Sequence, residues 1–260
     1  MIIDFHTHGK LAKNLPFSEE YTRWMFQQAK EAGLDALCLT EHFNTLYFDE
    51  LYRFIIDNYT EDGDSFIAEG VRVFLGMEID IEEKGHILAI GTIDNILSLN
   101  RELEAYKTKG NFLEFKKLLN YTQKYGVFLG AAHPFREGSN IPKMDLELLK
   151  ELDFIDLNGK DYASKGEKVK QEVNEFSEKL NIPVVGGSDT HQGLQYGSIF
   201  NDFNVECRTI NELISNIYEG KYEIGVSEDI KLKVKTAGIL KKALKEIHAC
   251  GGNYVSVLTQ

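Results

Sequence analysis

The sequence predicts a single α/β domain folded as an incomplete or distorted barrel of βα units. Three observations predict it. Short apolar or β-branched runs alternate with amphipathic stretches, the pattern of strands and helices around a parallel sheet. The length, 260 residues, lies within the range that one α/β barrel fills. No linker rich in Pro, Gly or Ser, internal repeat or low-complexity tract divides the chain.

Strands are predicted near residues 2–5, 36–40, 71–79, 86–91, 127–132, 154–157 and 183–187. Seven candidates suit a (β/α)7 arrangement. The first helix is expected over 18–32, with Ser18 as N-cap and Gly33 as the stop. Others are expected near 48–59, 112–125, 144–151, 167–180, 210–219 and 237–248. Phe48, Tyr52 and Phe54 recur at helical spacing and read as packing. Residues 1–225 are expected to form the barrel and 226–260 a helical extension packed on it.

Hydrophobic residues make up 43% and charged residues 27%, a balance that buries a sizeable core rather than leaving the chain disordered. The formal net charge of −12 speaks against a broad nucleic-acid surface, so extended nucleic-acid binding is not expected. A small phosphorylated substrate stays open, because bound cations reverse the field within one pocket. Cys38, Cys207 and Cys250 are widely spaced and form no C-x-x-C, which points to reduced thiols and a cytoplasmic protein. The amino terminus lacks the pattern of a secretory leader, and no apolar run reaches membrane-spanning length. Oligomeric state leaves no trace in the sequence.

The chemistry begins with Asp4-Phe5-His6-Thr7-His8. Side chains two apart on a strand share a face, so His6 and His8 form an H-x-H pair at the strand's exit. Alone, such a pair is read equally well as packed or exposed. A second apolar strand, however, ends in Asp189-Thr190-His191 with the same spacing. Further strands end in Glu41-His42, Glu78 and His133, and His86 begins or enters one. The carboxyl ends of strands form the functional rim of parallel α/β folds. Imidazoles and carboxylates without cysteine suit an open catalytic site for Zn²⁺, Mn²⁺ or Fe²⁺.

These stretches, with Gly76-Met77-Glu78-Ile79, Gly85-His86-Ile87-Leu88-Ala89-Ile90-Gly91, Ala132-His133-Pro134-Phe135-Arg136 and Gly187-Ser188-Asp189-Thr190-His191, give the chain a resemblance. It resembles the polymerase and histidinol phosphatase (PHP) domain superfamily in order over roughly residues 1–195. The resemblance implies a distorted seven-stranded barrel with two or three metal ions, usually hydrolysing phosphoesters. By position, His6, His8, Glu78 and Asp189 would hold one ion. Glu78 would bridge to a second bound by His86 and His133, and His42 with His191 would hold a third. Many members supply a further His or Asp soon after the H-x-H. Here residues 9–14 offer none, which leaves the third ion to Glu41 or water, or its site weak or empty.

Arg136, three residues beyond His133, is expected to clamp substrate oxygens, the alternative being a solvated loop residue. Lys160 is a second candidate of the same kind. Glu41 reads either as a partner orienting His42 or as an exposed residue, and His86 either as a ligand or as a core histidine. Catalytic roles fall to Glu78, Asp189 and Arg136. The expected function is a metal-dependent phosphoesterase acting on a small phosphorylated molecule. Its rivals are a phosphotyrosine phosphatase, an oligonucleotide-trimming nuclease and a non-catalytic metal-stabilised module. An amidohydrolase would need a metal-bridging Lys, which has no evident position here.

Overall fold

The computed structural model describes residues 1–258. The strands are β1 (Ile2–Thr7), β2 (Ala36–Leu39), β3 (Thr60–Asp62), β4 (Ser65–Ala68), β5 (Val71–Ile81), β6 (Gly85–Gly91), β7 (Phe128–Ala132), β8 (Phe154–Asn158), β9 (Val184–Gly187), β10 (Ile199–Phe203) and β11 (Tyr222–Val226). The helices are α1 (Glu19–Glu31), α2 (Phe48–Asn58), α3 (Ile93–Glu102), α4 (Phe115–Tyr125), α5 (Leu146–Leu149), α6 (Gly159–Lys165), α7 (Glu167–Leu180), α8 (Ile210–Tyr218) and α9 (Ile230–Ala249).

All the strands belong to one sheet, ordered β11-β10-β1-β2-β5-β6-β7-β8-β9, with the β3-β4 hairpin attached to β5. The seven expected strands are the contiguous run from β1 to β9, so the distorted barrel stands. It is nearly closed. Beyond the last strand pairing, the Asp189 amide donates to the His6 carbonyl (2.7 Å) and the His8 amide to the Thr190 carbonyl (3.0 Å). The Asn201 side chain fastens the same seam lower down. Its oxygen accepts from the Gly186 amide (2.7 Å), and its nitrogen donates to the carbonyls of Gly186 (2.8 Å) and Ile3 (3.0 Å).

One departure from a purely parallel sheet decides the site. β6 runs antiparallel to both β5 and β7. Only residues 82–84 join β5 to β6, too few for the crossover that parallel neighbours require. The reversal brings the first residues of β6 to the rim where its neighbours end. Asp80 therefore pairs with His86, and His86 with Ala132 beside His133.

Below that rim, Ile3, Phe5, Phe74, Leu88, Phe128, Phe154 and Val185 form one buried cluster drawn from six strands. Phe74 shares a face of β5 with Glu78, and Leu88 shares a face of β6 with His86, so this core is the floor of the polar rim. Burying each phenylalanine contributes roughly 2–3 kcal/mol. The other large cluster packs the helices outside the sheet, where Phe48, Tyr52 and Phe54 are buried as expected.

Helix ends follow their sequence signals. Ser18 caps α1 by accepting from the Tyr21 amide (3.2 Å), and Thr209 with Glu212 forms a capping box on α8. The helix expected over 144–151 shrinks to the four residues of α5. The one expected over 237–248 lengthens to α9, which packs on α6 and on the turn Gly193–Gln195. No helix among the described residues is long and apolar enough to cross a membrane. Cys38 and Cys207 are buried, Cys250 is exposed, and all three are free.

Candidate metal centre

Glu78 stands in the middle of the rim, almost fully buried. Its Oε1 lies 2.7 Å from His86 Nδ1 and 2.9 Å from His133 Nε2. Its Oε2 lies 3.0 Å from His42 Nδ1, 3.5 Å from His8 Nε2 and 3.6 Å from His6 Nε2. Asp189 Oδ1 is 3.3 Å from His8 Nε2 and 3.8 Å from His191 Nε2. All eight expected ligand residues thus meet in one cup, including His86 through the reversed strand.

Three overlapping groups within it could each hold an ion, every ligand atom within 4.8 Å of its companions: His6, His8 and Asp189; His6, Glu78 and His133; His8, His42 and His191. His6 Nε2, both ring nitrogens of His8 and Glu78 Oε2 are buried without a hydrogen-bond partner. A buried polar atom left unpaired costs about 1–3 kcal/mol, so converging orphans fit divalent cations better than an empty cup. Glu41 is fully buried with its Oε1 3.6 Å from His8 Nδ1, which rules out the exposed reading. It also accepts from the Lys10 amide (3.2 Å), and Lys10 turns its ammonium away to Thr45 (3.0 Å).

The chain bends sharply to present these groups. His133 (φ 32°) and Asp189 (φ 53°) both leave their strands in the left-handed region, a strain found at functional sites. Gly187, just before, has no room for a side chain. A Cβ there would lie 2.5 Å from the His6 Cβ and 2.6 Å from Asp156 Oδ1. The buried Asp4 joins the two loops by accepting from the amides of Ser188 (2.9 Å) and His6 (3.1 Å).

Several contributors escaped sequence reading. Asp156 Oδ2 accepts from His6 Nδ1 (2.9 Å), which turns Nε2 into the cup, and from the amide of His133 (3.2 Å). Asp156-Leu157-Asn158 ends β8 with the same alternation as the first strand, a signal that could have exposed it. Partners that orient ligand imidazoles matter nearly as much as the ligands. Asp156→Asn is expected to weaken metal affinity about 10- to 100-fold, read by competition with a chelator. An unchanged affinity would remove Asp156 from the centre.

Arg136 is more committed than expected. It donates to Asp189 (2.7 Å), Asn158 (2.7 Å) and Asp161 (3.2 Å), and Lys160 pairs with Asp189 Oδ1 at 2.9 Å. Burial works against a charged Asp189, yet Lys160 and Arg136 hold it well below the usual carboxylate range. Burial likewise opposes a charged Glu78, and His42, His86 and His6 overcome it.

Charge balance in the cup couples ions to protons. Burial disfavours a charged His6, but Glu78 and Asp156 outweigh it and lift the imidazole to about 10. His86 is lifted to about 10 against burial by Glu78 and Asp80. Burial leads in pushing His133 and His191 down. Ligand imidazoles must be neutral, so an ion held by His6 and His86 would have to expel their protons at neutral pH. Apparent affinity is expected to rise with pH until those imidazoles lose their protons near 10. Calorimetry in buffers of different ionisation enthalpy would show the released protons, and uptake without release would contradict this.

The family model for the PHP domain matches residues 4–180, and that for the PHP-associated segment matches residues 170–222. Among curated proteins no relative matches. Among solved structures, PsfC from Pseudomonas syringae PB-5123 has a TM-score of 0.77 at 21% identity, covering 94% of this chain and 98% of its own. The lesion-specific endonuclease PfuEndoQ from Pyrococcus furiosus has a TM-score of 0.66 at 20% identity, over 86% of this chain and 58% of its own. Endonuclease Q in complex with a 27-mer duplex carrying an abasic lesion at its active site gives 0.62 at 19% identity, over 87% and 58%.

The last two overturn one expectation. The negative net charge predicts no extended nucleic-acid binding, yet a protein of similar fold is an endonuclease in complex with duplex DNA. A formal total sums the whole surface and does not describe the rim. In α9, six lysines (Lys231, Lys233, Lys235, Lys241, Lys242 and Lys245) face a single acid, Glu246. On the match over residues 4–180, the chain belongs to the PHP domain family, a superfamily of metal-dependent phosphoesterases.

Proposed function

We propose that this protein is a phosphatase of a small phosphorylated molecule, acting through two or three divalent ions held by His6, His8, His42, Glu78, His86, His133, Asp189 and His191. The observation that carries the reading is Glu78 lying within 3.6 Å of five imidazoles. Bound divalent cations would activate a water and neutralise charge on the phosphoryl oxygens. The protein's own part is orientation. Asp156 fixes the ring of His6, and Arg136 with Lys160 holds Asp189 while presenting cationic edges to a phosphoryl group.

A cleft of about 550 Å³ opens beside His86, His133 and Arg136 and is walled further out by Lys84, Lys109 and Phe112. That volume is typical of a small-molecule site. The phosphate ester would enter with its phosphorus toward the cup and its alcohol portion against Phe112. A second reading, cleavage of a nucleic-acid phosphodiester, is favoured by the lysine-rich α9.

A substrate panel on purified, manganese-loaded protein tests both. It comprises histidinol phosphate, nucleotides, phosphotyrosine, 4-nitrophenyl phosphate, single-stranded DNA and duplex DNA with an abasic site. Turnover of monoesters that is abolished by chelation is the expected result. Cleavage of DNA alone would move the assignment to the second reading, and silence on every substrate would leave a metal-stabilised binding module.

A further inference from the structure

Beside the cup lies a smaller cavity of about 230 Å³. Lys160, His191, Gln192 and Gln195 line it from the barrel, and α9 contributes Val234 and Lys241. Among the described residues no carboxylate lines it. Lys160 reaches back to Asp189 at 2.9 Å, so cavity and cup share a wall one side chain thick.

Two residues of the cavity wall carry donors without a partner among the described residues. Gln192 is 1% exposed, and its Nε2 has no hydrogen-bond partner. Its amide orientation is fixed, because Oε1 accepts from the Leu194 amide at 2.8 Å. Lys241 is half-buried and makes no ion pair or hydrogen bond among the described residues. Burial, then the like charge of Lys160, draw it down to about 8, while Asp189 and Glu41 pull the other way. An unpaired buried donor and a half-buried ammonium next to another ammonium are both unfavourable unless an acceptor with negative charge completes them.

We propose that this cavity is an anion subsite in which Lys241, Lys160 and Gln192 bind a second anionic group of the substrate, beside the phosphoryl group at the cup. The subsite rests on the phosphatase reading only in making the two anions parts of one molecule. A phosphate and a carboxylate share the chemistry required, and the phosphate, with more acceptor oxygens, matches three donors better.

The test uses the full, manganese-loaded chain and calorimetric binding, which needs no turnover. The probes are 3-hydroxypropyl phosphate, propane-1,3-diol bisphosphate and 3-phosphooxypropanoate. The unaltered protein is expected to bind the bisphosphate about ten-fold more tightly than the monophosphate, the effect of one charge-assisted contact. Lys241→Met should erase that ratio, Lys241→Arg should retain most of it, and the exposed Lys242→Ala should leave it intact. A preference for 3-phosphooxypropanoate that depends on Lys241 supports the subsite and makes its ligand a carboxylate. The proposal is overturned by a ratio near one in the unaltered protein, by a ratio that survives Lys241→Met, or by Lys241 dependence seen only with a single-stranded oligonucleotide. A Lys241-dependent ratio in a protein that turns over no phosphoester would keep the subsite and discard the phosphatase.

Discussion

Glu78→Gln is expected to cut turnover of any phosphoester by roughly 10³-fold, equivalent to about 4 kcal/mol of lost transition-state stabilisation. The substitution keeps shape and removes charge. Five imidazoles face this carboxylate at 2.7–3.6 Å, so the loss reaches every part of the cup rather than one ligand position. Metal content measured by mass spectrometry should fall along with activity. A variant that still folds, with its thermal transition retained, would show that the defect lies in the centre. Turnover within about ten-fold of the unaltered protein would mean that Glu78 is a packing residue.

Removing metal should be nearly as severe and should also appear in stability. An ion present at 1,000 times its dissociation constant stabilises the native state by about 4 kcal/mol. For a chain of this size that corresponds to roughly 10 °C in the thermal midpoint. Chelation is therefore expected to abolish turnover and lower the midpoint together, and re-addition of manganese or zinc should restore both. The fit is physical: His6 Nε2, His8 Nε2 and Glu78 Oε2 are buried with no hydrogen bond to replace a lost ion. A melting curve indifferent to the chelator would argue against resident ions.

How much of this was legible in the sequence follows from what each signal encodes. The barrel strands were readable because each is a nearly continuous buried run, as in Leu37-Cys38-Leu39 or Phe128-Leu129-Gly130-Ala131-Ala132. Their direction was not, since a run of apolar residues reads alike both ways. Only the short span before His86 hinted at the reversal of β6. The β3-β4 hairpin and β10-β11 went unnoticed because strands of three to five residues with solvent-facing positions resemble loops. The eight cup residues were visible as imidazoles and carboxylates at strand ends. Asp161 was not, because it acts by holding another side chain, a relation that depends on three-dimensional proximity, and Asp156 and Asn158 showed only as an alternation at the end of β8. Lys241 lay in a helix that reads as an ordinary basic surface, and only its packing on α6 turns it inward.

The seam sealed by Asn201 has a consequence for biogenesis. The opening strand finds one lateral neighbour, β2, early in translation, but its other edge stays bare until residues 184–203 have left the ribosome. Asp189 and His191 emerge in that same late stretch. His6 and His8 meet Glu78 and His133 from earlier segments, but must wait for this stretch before Asp189 and His191 exist. A nascent chain stalled before Asn201 would bind transition ions no better than an unstructured peptide, and release of the next few dozen residues would switch on capture in a single cooperative event.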